Sequence, residues 1–287
     1  MWLQVRPVLA LFFLSLGQYL SAAPVNALDA DSTLRDDLVT KARVFQDQGY
    51  RTQAIALLQQ ADQLTKQLSE DSSETGLLLA QLYFELGEYP LSLNLITRTL
   101  DQSESIAIEA RALNILASVQ SILNDVKTAT DTFARAYTAS LASGDQVMTL
   151  TVLTNHLRHE LDNKNANKSL AIGKQLLTLS STLSGRSDSV EIQISIGDLF
   201  IRIADQTGED NFYRQALSIL QQAETTAKNQ GQVRLQSYAI GHQGRLLINQ
   251  NKLEDGIQRL TTANFLANTR RAFESAYLWQ WQLARAL

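Results

Sequence analysis

The sequence predicts an all-α fold, a right-handed solenoid of antiparallel helical hairpins, from three observations. A small residue within a helical segment is followed twelve residues later by a second small residue, and then by apolar or small residues four and seven positions further on. This pattern recurs at intervals of about forty residues, the length of a two-helix repeat. Only one of the three prolines, Pro90, lies beyond residue 24, so long helices run uninterrupted.

The small residues of the pattern predict where the two helices of each hairpin cross. Two helix backbones approach closely only where the side chains between them are small. Five segments carry the pattern, the last with a longer separation between its two small residues: Ala42/Ala54/Leu58/Ala61, Ala80/Ser92/Ile96/Thr99, Ala117/Ala129/Phe133/Ala136, Gly244/Gly256/Leu260/Ala263 and Gly197/Ala216/Leu220/Ala223.

The second hairpin shows the pattern together with its boundaries. Leu79, Ala80 and Tyr83 share one face of a helix at helical spacing. Gly87 is predicted to end this helix, because glycine adopts the left-handed cap conformation without strain. Pro90 is predicted to lie at the start of the next helix, where its missing N–H donor costs nothing.

The later hairpins are less regular. The fourth is placed at about residues 148–183, with a polar turn over 162–168. The fifth is expected to be stretched by a loop over 206–212 and to follow another loop at 184–188. After the sixth hairpin, residues 277–287 are predicted to form the first helix of a seventh, so the solenoid over 35–287 comprises six hairpins and a final half-repeat.

The N-terminus resembles a secretory signal peptide. Arg6 is the only charged residue before Asp29, and residues 8–16 are apolar apart from Ser15. We expect cleavage after Ala27, because cleavage after Ala23 would leave Pro24 directly beyond the cut. Residues 1–27 would then be the signal peptide and residues 28–34 a polar leader, in a periplasmic or secreted protein; an uncleaved membrane anchor is the alternative.

The composition narrows the classes of function. The chain of 287 residues has no cysteine, which excludes a thiol nucleophile and a cysteine-ligated zinc site. It carries 25 basic and 29 acidic residues without a basic face, so we expect neither nucleic acid as a partner nor membrane insertion after signal cleavage.

Residues that support catalysis or metal binding are sparse. His156 and His159 lie three residues apart on a predicted helix, but no third histidine or cysteine is nearby. We expect a solvated polar face there rather than a metal site. No Gly-x-Ser-x-Gly motif occurs. The sequence therefore predicts a protein that is not an enzyme and that has no cofactor.

The hairpins resemble the tetratricopeptide repeat. In that family the first helix carries a small residue and then an aromatic one, as Ala80 and Tyr83 do, and the second carries a pattern matched by Ala129, Phe133 and Ala136. The hairpins depart from the family in lacking its closing proline. The resemblance implies a concave groove, lined by the first helices, that binds a protein or peptide partner.

Polar residues beside the small residues of the first helices are the candidates for partner binding. Arginine and asparagine side chains are suited to binding a peptide backbone and carboxylates. For any single position, an ordinary solvated side chain is the alternative. The candidates are Arg43, Gln81, Glu85, Arg111, Asn114, Ser118, Asp198, Arg202 and Arg245.

A second resemblance covers the last fifty residues. Residues 237–246 and 277–285 are similar to repeats that precede the caspase-like CHAT peptidase domain of bacterial proteins. This resemblance implies a regulatory arm of a cysteine peptidase whose catalytic domain is absent from this chain. An exported scaffold is the leading hypothesis and such an arm the alternative. The apolar C-terminal helix, with Trp279 and Trp281, is expected to lack a packing partner and to favour self-association.

Overall fold

The computed structural model describes residues 27–181, 189–269 and 273–286, and these ranges are α-helical without a strand. The predicted all-α fold is confirmed. Residues 1–26, which contain nearly all of the predicted signal peptide, and the predicted loop at 184–188 lie outside the described residues. The helices are α1 (Ala27–Asp47), α2 (Arg51–Gln67), α3 (Ser73–Glu85), α4 (Tyr89–Gln102), α5 (Ile106–Ile122), α6 (Val126–Ser143), α7 (Gln146–Asp162), α8 (Ala166–Ser180), α9 (Val190–Thr207), α10 (Asp210–Asn229), α11 (Val233–Asn249), α12 (Leu253–Thr269) and α13 (Phe273–Ala286).

The chain divides into two compact units at Thr75. Unit 1, residues 1–75, contains the hairpin of α1 and α2 and the first residues of α3. Unit 2, residues 76–287, contains the rest of α3 and the helices that follow, through α13. In unit 2 consecutive helices pack in pairs, α5 on α6, α7 on α8, α9 on α10 and α11 on α12. This pairing is that of a helical solenoid.

Helix α1 begins earlier than the sequence predicts. Its first residue is Ala27, so the helix includes residues 28–34, which the sequence analysis treats as a polar leader. Asp31 falls near the start of this helix. Acidic side chains are favourable there because they oppose the positive end of the helix dipole. Polar composition therefore does not exclude these residues from the helix.

The small residues lie at helix crossings, as predicted. Ala54, Ala80, Ala117 and Ala129 are fully buried. At the crossing of α3 and α4 the Ser92 Oγ donates a hydrogen bond of 2.8 Å to the carbonyl oxygen of Ala80. The Ser92 hydroxyl thus has a hydrogen-bond partner although it is buried, and the side chain is small enough for the crossing.

Left-handed residues end the first helices of the hairpins. Gly87 has φ of 80°, as its predicted role requires. Asn124 and Lys164, with φ of 64° and 56°, take the same position after α5 and α7. Lysine is rare in this conformation, so the residue type at position 164 does not predict a helix end there. The turn of the fourth hairpin is accordingly only three residues long, 163–165, rather than the predicted 162–168.

The loop predicted within the fifth hairpin is wrong. Helix α9 extends to Thr207, and α10 begins at Asp210, directly after Gly208 and Glu209. The seven additional residues between Gly197 and Ala216 lengthen α9 and α10 by about one turn each. Phe200 and Phe212, whose ring centroids are 5.2 Å apart, are both buried in this lengthened hairpin. Burial of these aromatic rings favours helix over loop.

The final helix has a packing partner, contrary to the sequence-based expectation. Helix α13 packs against α11 and α12, and the Trp279 side chain is completely buried. Trp281 and Tyr277 remain 46% and 73% exposed. Self-association through this helix therefore stays a prediction, and it concerns these two exposed rings rather than Trp279.

Among the described helices, none is both long enough and apolar enough to cross a membrane.

Candidate binding groove

The first helices of successive hairpins form one layer in unit 2. Helices α5, α7, α9, α11 and α13 contact each other in that order. Among the described residues, successive second helices make fewer such contacts. The first helices thus lie closer together, which places them on the inner side of the curved stack. Their exposed face is the candidate groove.

Polar contacts join neighbouring first helices across this face. They connect side chains that stand about one repeat apart in the sequence, and they fix the spacing between helices. The pairs are Asn155 Nδ2 to Asn114 Oδ1 at 3.1 Å, Arg202 Nη2 to Asp162 Oδ1 at 2.5 Å, Arg245 Nη2 to Asp198 Oδ1 at 2.5 Å, Arg234 Nη2 to Glu191 Oε1 at 2.9 Å, and Asn249 Nδ2 to Asp205 Oδ2 at 3.0 Å.

Four of the predicted binding residues take part in these contacts: Asn114, Asp198, Arg202 and Arg245. They lie on the predicted helices, but each already has a protein partner. Asn114 is also almost fully buried. Their direct effect is to hold the first helices in register.

The other predicted binding residues lie outside these interhelical contacts. Gln81 and Glu85 bond to each other along α3 at 3.0 Å. Ser118 Oγ donates to the carbonyl oxygen of Asn114 at 2.8 Å, and Arg111 is half-buried on the same helix, α5. Arg43 belongs to unit 1, where it forms an ion pair of 2.8 Å with Glu74. The participation of all nine residues in binding stays a prediction.

A pocket of about 290 Å³ opens between α7, α9 and α11. Its walls combine charged, hydroxyl and apolar side chains from three successive first helices. The lining residues are Arg158, Glu191, Ile194, Ser195, Asp198, Leu235, Tyr238 and His242.

Asp198 is the electrostatic centre of the pocket. Its Oδ1 lies 2.5 Å from Arg245 Nη2 and 3.1 Å from His242 Nδ1, and both partners come from α11. Burial alone would raise the pKa of this carboxyl, but the close approach of His242 and the charge of Arg245 hold the pKa well below its usual range. The carboxylate therefore stays ionised and anchors α11 to α9.

Arg158 on α7 was missed as a site residue by the sequence analysis. Its side chain reaches the surface beside the pocket, and Nη1 donates a hydrogen bond of 2.6 Å to Asn155 Oδ1. Partial burial of the guanidinium lowers the pKa of Arg158, and the charge of Asp198 opposes this shift. The sequence signal was its spacing, three residues after Asn155 and one helical turn before Asp162. That spacing puts Arg158 on the face that contacts α9.

The solvated face predicted around the two histidines of α7 is wrong. His159 and Glu160 are each only 2% exposed. Ser121 Oγ lies 2.7 Å from His159 Nδ1, and Thr130 and Lys168 contact Glu160 Oε1 at 3.2 and 3.3 Å. Helices α5, α6 and α8 supply these partners, and their packing buries the polar groups.

His156 lies beside the same buried cluster. Its ring stacks on Phe133, with centroids 5.3 Å apart. Burial lowers the pKa of His156, although the neighbouring Glu160 opposes this shift. Among the described residues, no group of three or more His, Asp or Glu side chains is placed to hold a metal ion.

Several solved structures have a helical arrangement similar to that of this chain. The chain is similar to the signal transduction ATPase with a tetratricopeptide repeat sensor, PH0952, from Pyrococcus horikoshii, with a TM-score of 0.63 and 14% identity over 90% of the chain. It spans only 40% of the length of that protein. The fold is that of a tetratricopeptide-repeat solenoid. At this level of identity the similarity shows the fold alone.

Two further similar structures have the same fold. The Rap conjugation gene regulator of plasmid pLS20, in complex with the Phr* peptide, has a TM-score of 0.58 and 11% identity, with 96% of this chain and 82% of that one covered. Aspartyl phosphate phosphatase F from Bacillus subtilis has a TM-score of 0.56 and 12% identity, with 91% and 72% covered. No protein-family model and no curated protein matches the chain.

The Asp198 contacts predict a pH-dependent contribution to stability. The folded pKa is depressed relative to the unfolded value of about 3.9. The contribution is therefore present above pH ~4 and is lost as the pH falls through the lower folded pKa. We expect Asp198→Asn to be less stable than the wild type at pH 7, with the difference shrinking below pH ~4.

Urea unfolding at several pH values measures this difference. Asp131→Asn, an exposed substitution on α6, is the matched control and should have little effect at pH 7. If Asp198→Asn lowers the free energy of unfolding by the same amount at pH 7 and at pH 3, the pKa of Asp198 is not depressed in the folded protein.

Proposed function

We propose that the chain is a non-enzymatic scaffold that binds a protein or peptide segment along the first helices of unit 2. The observation that carries this proposal is the pocket between α7, α9 and α11, which opens on a face held in register by interhelical polar contacts. A groove that is already organised loses little entropy when a partner binds.

The chemistry of the face suits an extended peptide. Its exposed and half-buried groups include arginine, asparagine and serine side chains, which donate hydrogen bonds to peptide carbonyl oxygens and to carboxylates. The pocket adds the apolar side chains of Ile194, Leu235 and Tyr238. Two Rap structures with this fold are complexes, one with the Phr* peptide and another with the competence and sporulation factor. The complex with the Phr* peptide supports a peptide partner here.

The test is selection of peptides followed by blocking of the pocket. A phage library of random heptapeptides is selected on the immobilised chain from residue 28, and enriched peptides are measured by fluorescence polarisation. Ser195→Trp places an indole in the pocket and should weaken binding by at least about tenfold. The control is Ser218→Trp on the exposed side of α10, which should leave affinity unchanged. If no peptide is enriched, or if Ser195→Trp binds as tightly as Ser218→Trp, the proposed groove function is wrong.

Export to the periplasm or medium is part of the proposal, because residues 1–27 have the layout of a signal peptide. Fractionation of cells that express a C-terminally tagged chain tests it. Mass spectrometry of the exported protein should find Leu28 as the first residue. A chain retained at full length in the membrane fraction would support the uncleaved anchor instead.

The alternative is that the chain is the regulatory arm of a CHAT-type peptidase. The similarity of residues 237–246 and 277–285 to repeats of such proteins supports it. In the structure Trp279 Nε1 donates to Ser237 Oγ at 3.0 Å, so the two segments form one packing unit. A gene whose reading frame continues into a domain with a His and Cys dyad would favour this alternative, and a stop codon would favour the scaffold.

A further inference from the structure

The carboxylates around the pocket between α7, α9 and α11 are paired with arginines in a negatively charged protein. The chain has a formal net charge of −4. Around the pocket, however, three carboxylates are each paired with an arginine of a neighbouring helix. These pairs are Asp162 with Arg202, Asp198 with Arg245, and Glu191 with Arg234.

Arg158 is the additional cation. Among the described residues, no carboxylate oxygen lies within 4.0 Å of its guanidinium nitrogens. The guanidinium carries five N–H donors, and one of its nitrogens bonds to Asn155. It therefore retains hydrogen-bonding capacity beside the pocket.

The position of Arg158 is fixed by a chain of hydrogen bonds. Asn155 Oδ1 accepts from Arg158 Nη1 at 2.6 Å, and Asn155 Nδ2 donates to Asn114 Oδ1 on α5 at 3.1 Å. Asn114 is buried and thereby held by packing. A guanidinium restrained in this way loses less side-chain entropy on binding a carboxylate than a free arginine does.

We propose that this pocket binds an acidic side chain of a peptide in the groove, and that Arg158 binds its carboxylate. This inference rests on the proposed peptide-binding function. Asp198 and Glu191 do not repel the ligand carboxylate strongly, because Arg245 and Arg234 neutralise them. For the same reason they are poor anchors for a lysine or arginine of the ligand.

The shape of the pocket points to an internal side chain as the ligand. Ile194, Leu235 and Tyr238 form an apolar wall for the methylene groups of a glutamate. The layer of first helices continues beyond the pocket on both sides, through α5 and α13. A peptide can therefore extend in both directions from the bound residue. A C-terminal carboxylate would need the groove on one side of the pocket only.

Heptapeptide libraries with a fixed central residue test the proposal. Three libraries with amidated C-termini carry Glu, Gln or Lys at the centre, and a fourth carries central Gln with a free C-terminal carboxylate. Each is passed over immobilised wild type, and the retained fraction is measured by mass spectrometry. We expect the Glu library to be retained at least about threefold more than the Gln library.

Arginine variants link this preference to Arg158. Arg158→Gln should abolish the preference for Glu, and Arg158→Glu should shift it towards Lys. Arg214→Gln on the exposed face of α10 removes the same charge away from the pocket and should preserve the preference. Circular dichroism of each variant verifies the fold.

The outcomes separate this inference from the function on which it rests. If all libraries are retained without a preference for Glu, the pocket does not bind an acidic side chain. If the preference for Glu survives in Arg158→Gln, Arg158 does not bind the carboxylate. Neither result contradicts the proposed groove function. If the library with a free C-terminal carboxylate is retained preferentially, the pocket binds the peptide C-terminus, and the proposal of a bound side chain is wrong. Retention of no library overturns both.

Discussion

Replacing Trp279 with alanine is expected to lower the free energy of unfolding by about 3–5 kcal/mol. The Trp279 side chain is completely buried, and Nε1 donates a 3.0 Å hydrogen bond to Ser237 Oγ. Its ring occupies the space left by Gly241, where a Cβ atom would lie only 2.4 Å from Trp279 Cε2. The substitution removes this burial, opens a cavity and leaves the Ser237 hydroxyl with one partner fewer. Chemical denaturation followed by circular dichroism gives the change.

Trp281→Ala is the matched control on the same helix. This side chain is 46% exposed, and its recorded contact is with the Arg285 guanidinium, 5.3 Å from the ring centroid. Because about half of this ring already meets solvent and its cation–π contact contributes only about 0.5–1 kcal/mol, the control should cost clearly less than Trp279→Ala. Equal losses for the two variants would mean that α13 does not pack through Trp279.

Gly244→Leu is expected to destabilise the protein by about 1–3 kcal/mol or more. Gly244 and Gly256 mark the crossing of α11 and α12. A Cβ atom on Gly244 would lie 3.0 Å from the carbonyl oxygen of Gly256 and 2.8 Å from Leu260 Cγ. The backbone oxygen cannot rotate away, so the helices must separate. This cost outweighs the roughly 1 kcal/mol that leucine gains over glycine in helix propensity.

Gln258→Leu on α12 is the control for Gly244→Leu. Gln258 is exposed, so the added leucine meets solvent rather than a helix, and the stability should change by less than about 0.5 kcal/mol. Thermal unfolding of both variants makes the comparison. A Gly244→Leu protein as stable as the control would show that α11 and α12 do not cross at this residue.

The interhelical contacts suggest how the groove is organised before a partner binds. Asp198, Arg202 and Arg245 hold consecutive first helices together, while Arg158 remains available beside them. Stability and binding are thus divided between different charged residues of the same face. Substitutions of the first three should affect stability, whereas substitution of Arg158 should affect ligand preference.

The sequence alone determined the fold through local and periodic signals. Small residues at a spacing of twelve predicted the crossings at Ala80, Ala117 and Gly244, because close helix packing restricts side-chain size at those points. Gly87 predicted a helix end because its conformation is set locally. Such signals need no knowledge of which other segment lies nearby.

The tertiary structure alone decided which polar groups are buried, paired or available. His159 and Glu160 belong to a helix that reads as polar, yet residues from α5, α6 and α8 enclose them. Trp279 is buried because Gly241, nearly forty residues earlier, leaves room for its ring. Asp198 and Arg158 likewise differ only in the partners that neighbouring repeats supply. Burial and charge pairing depend on atoms brought together from distant positions, and sequence spacing within one helix does not specify them.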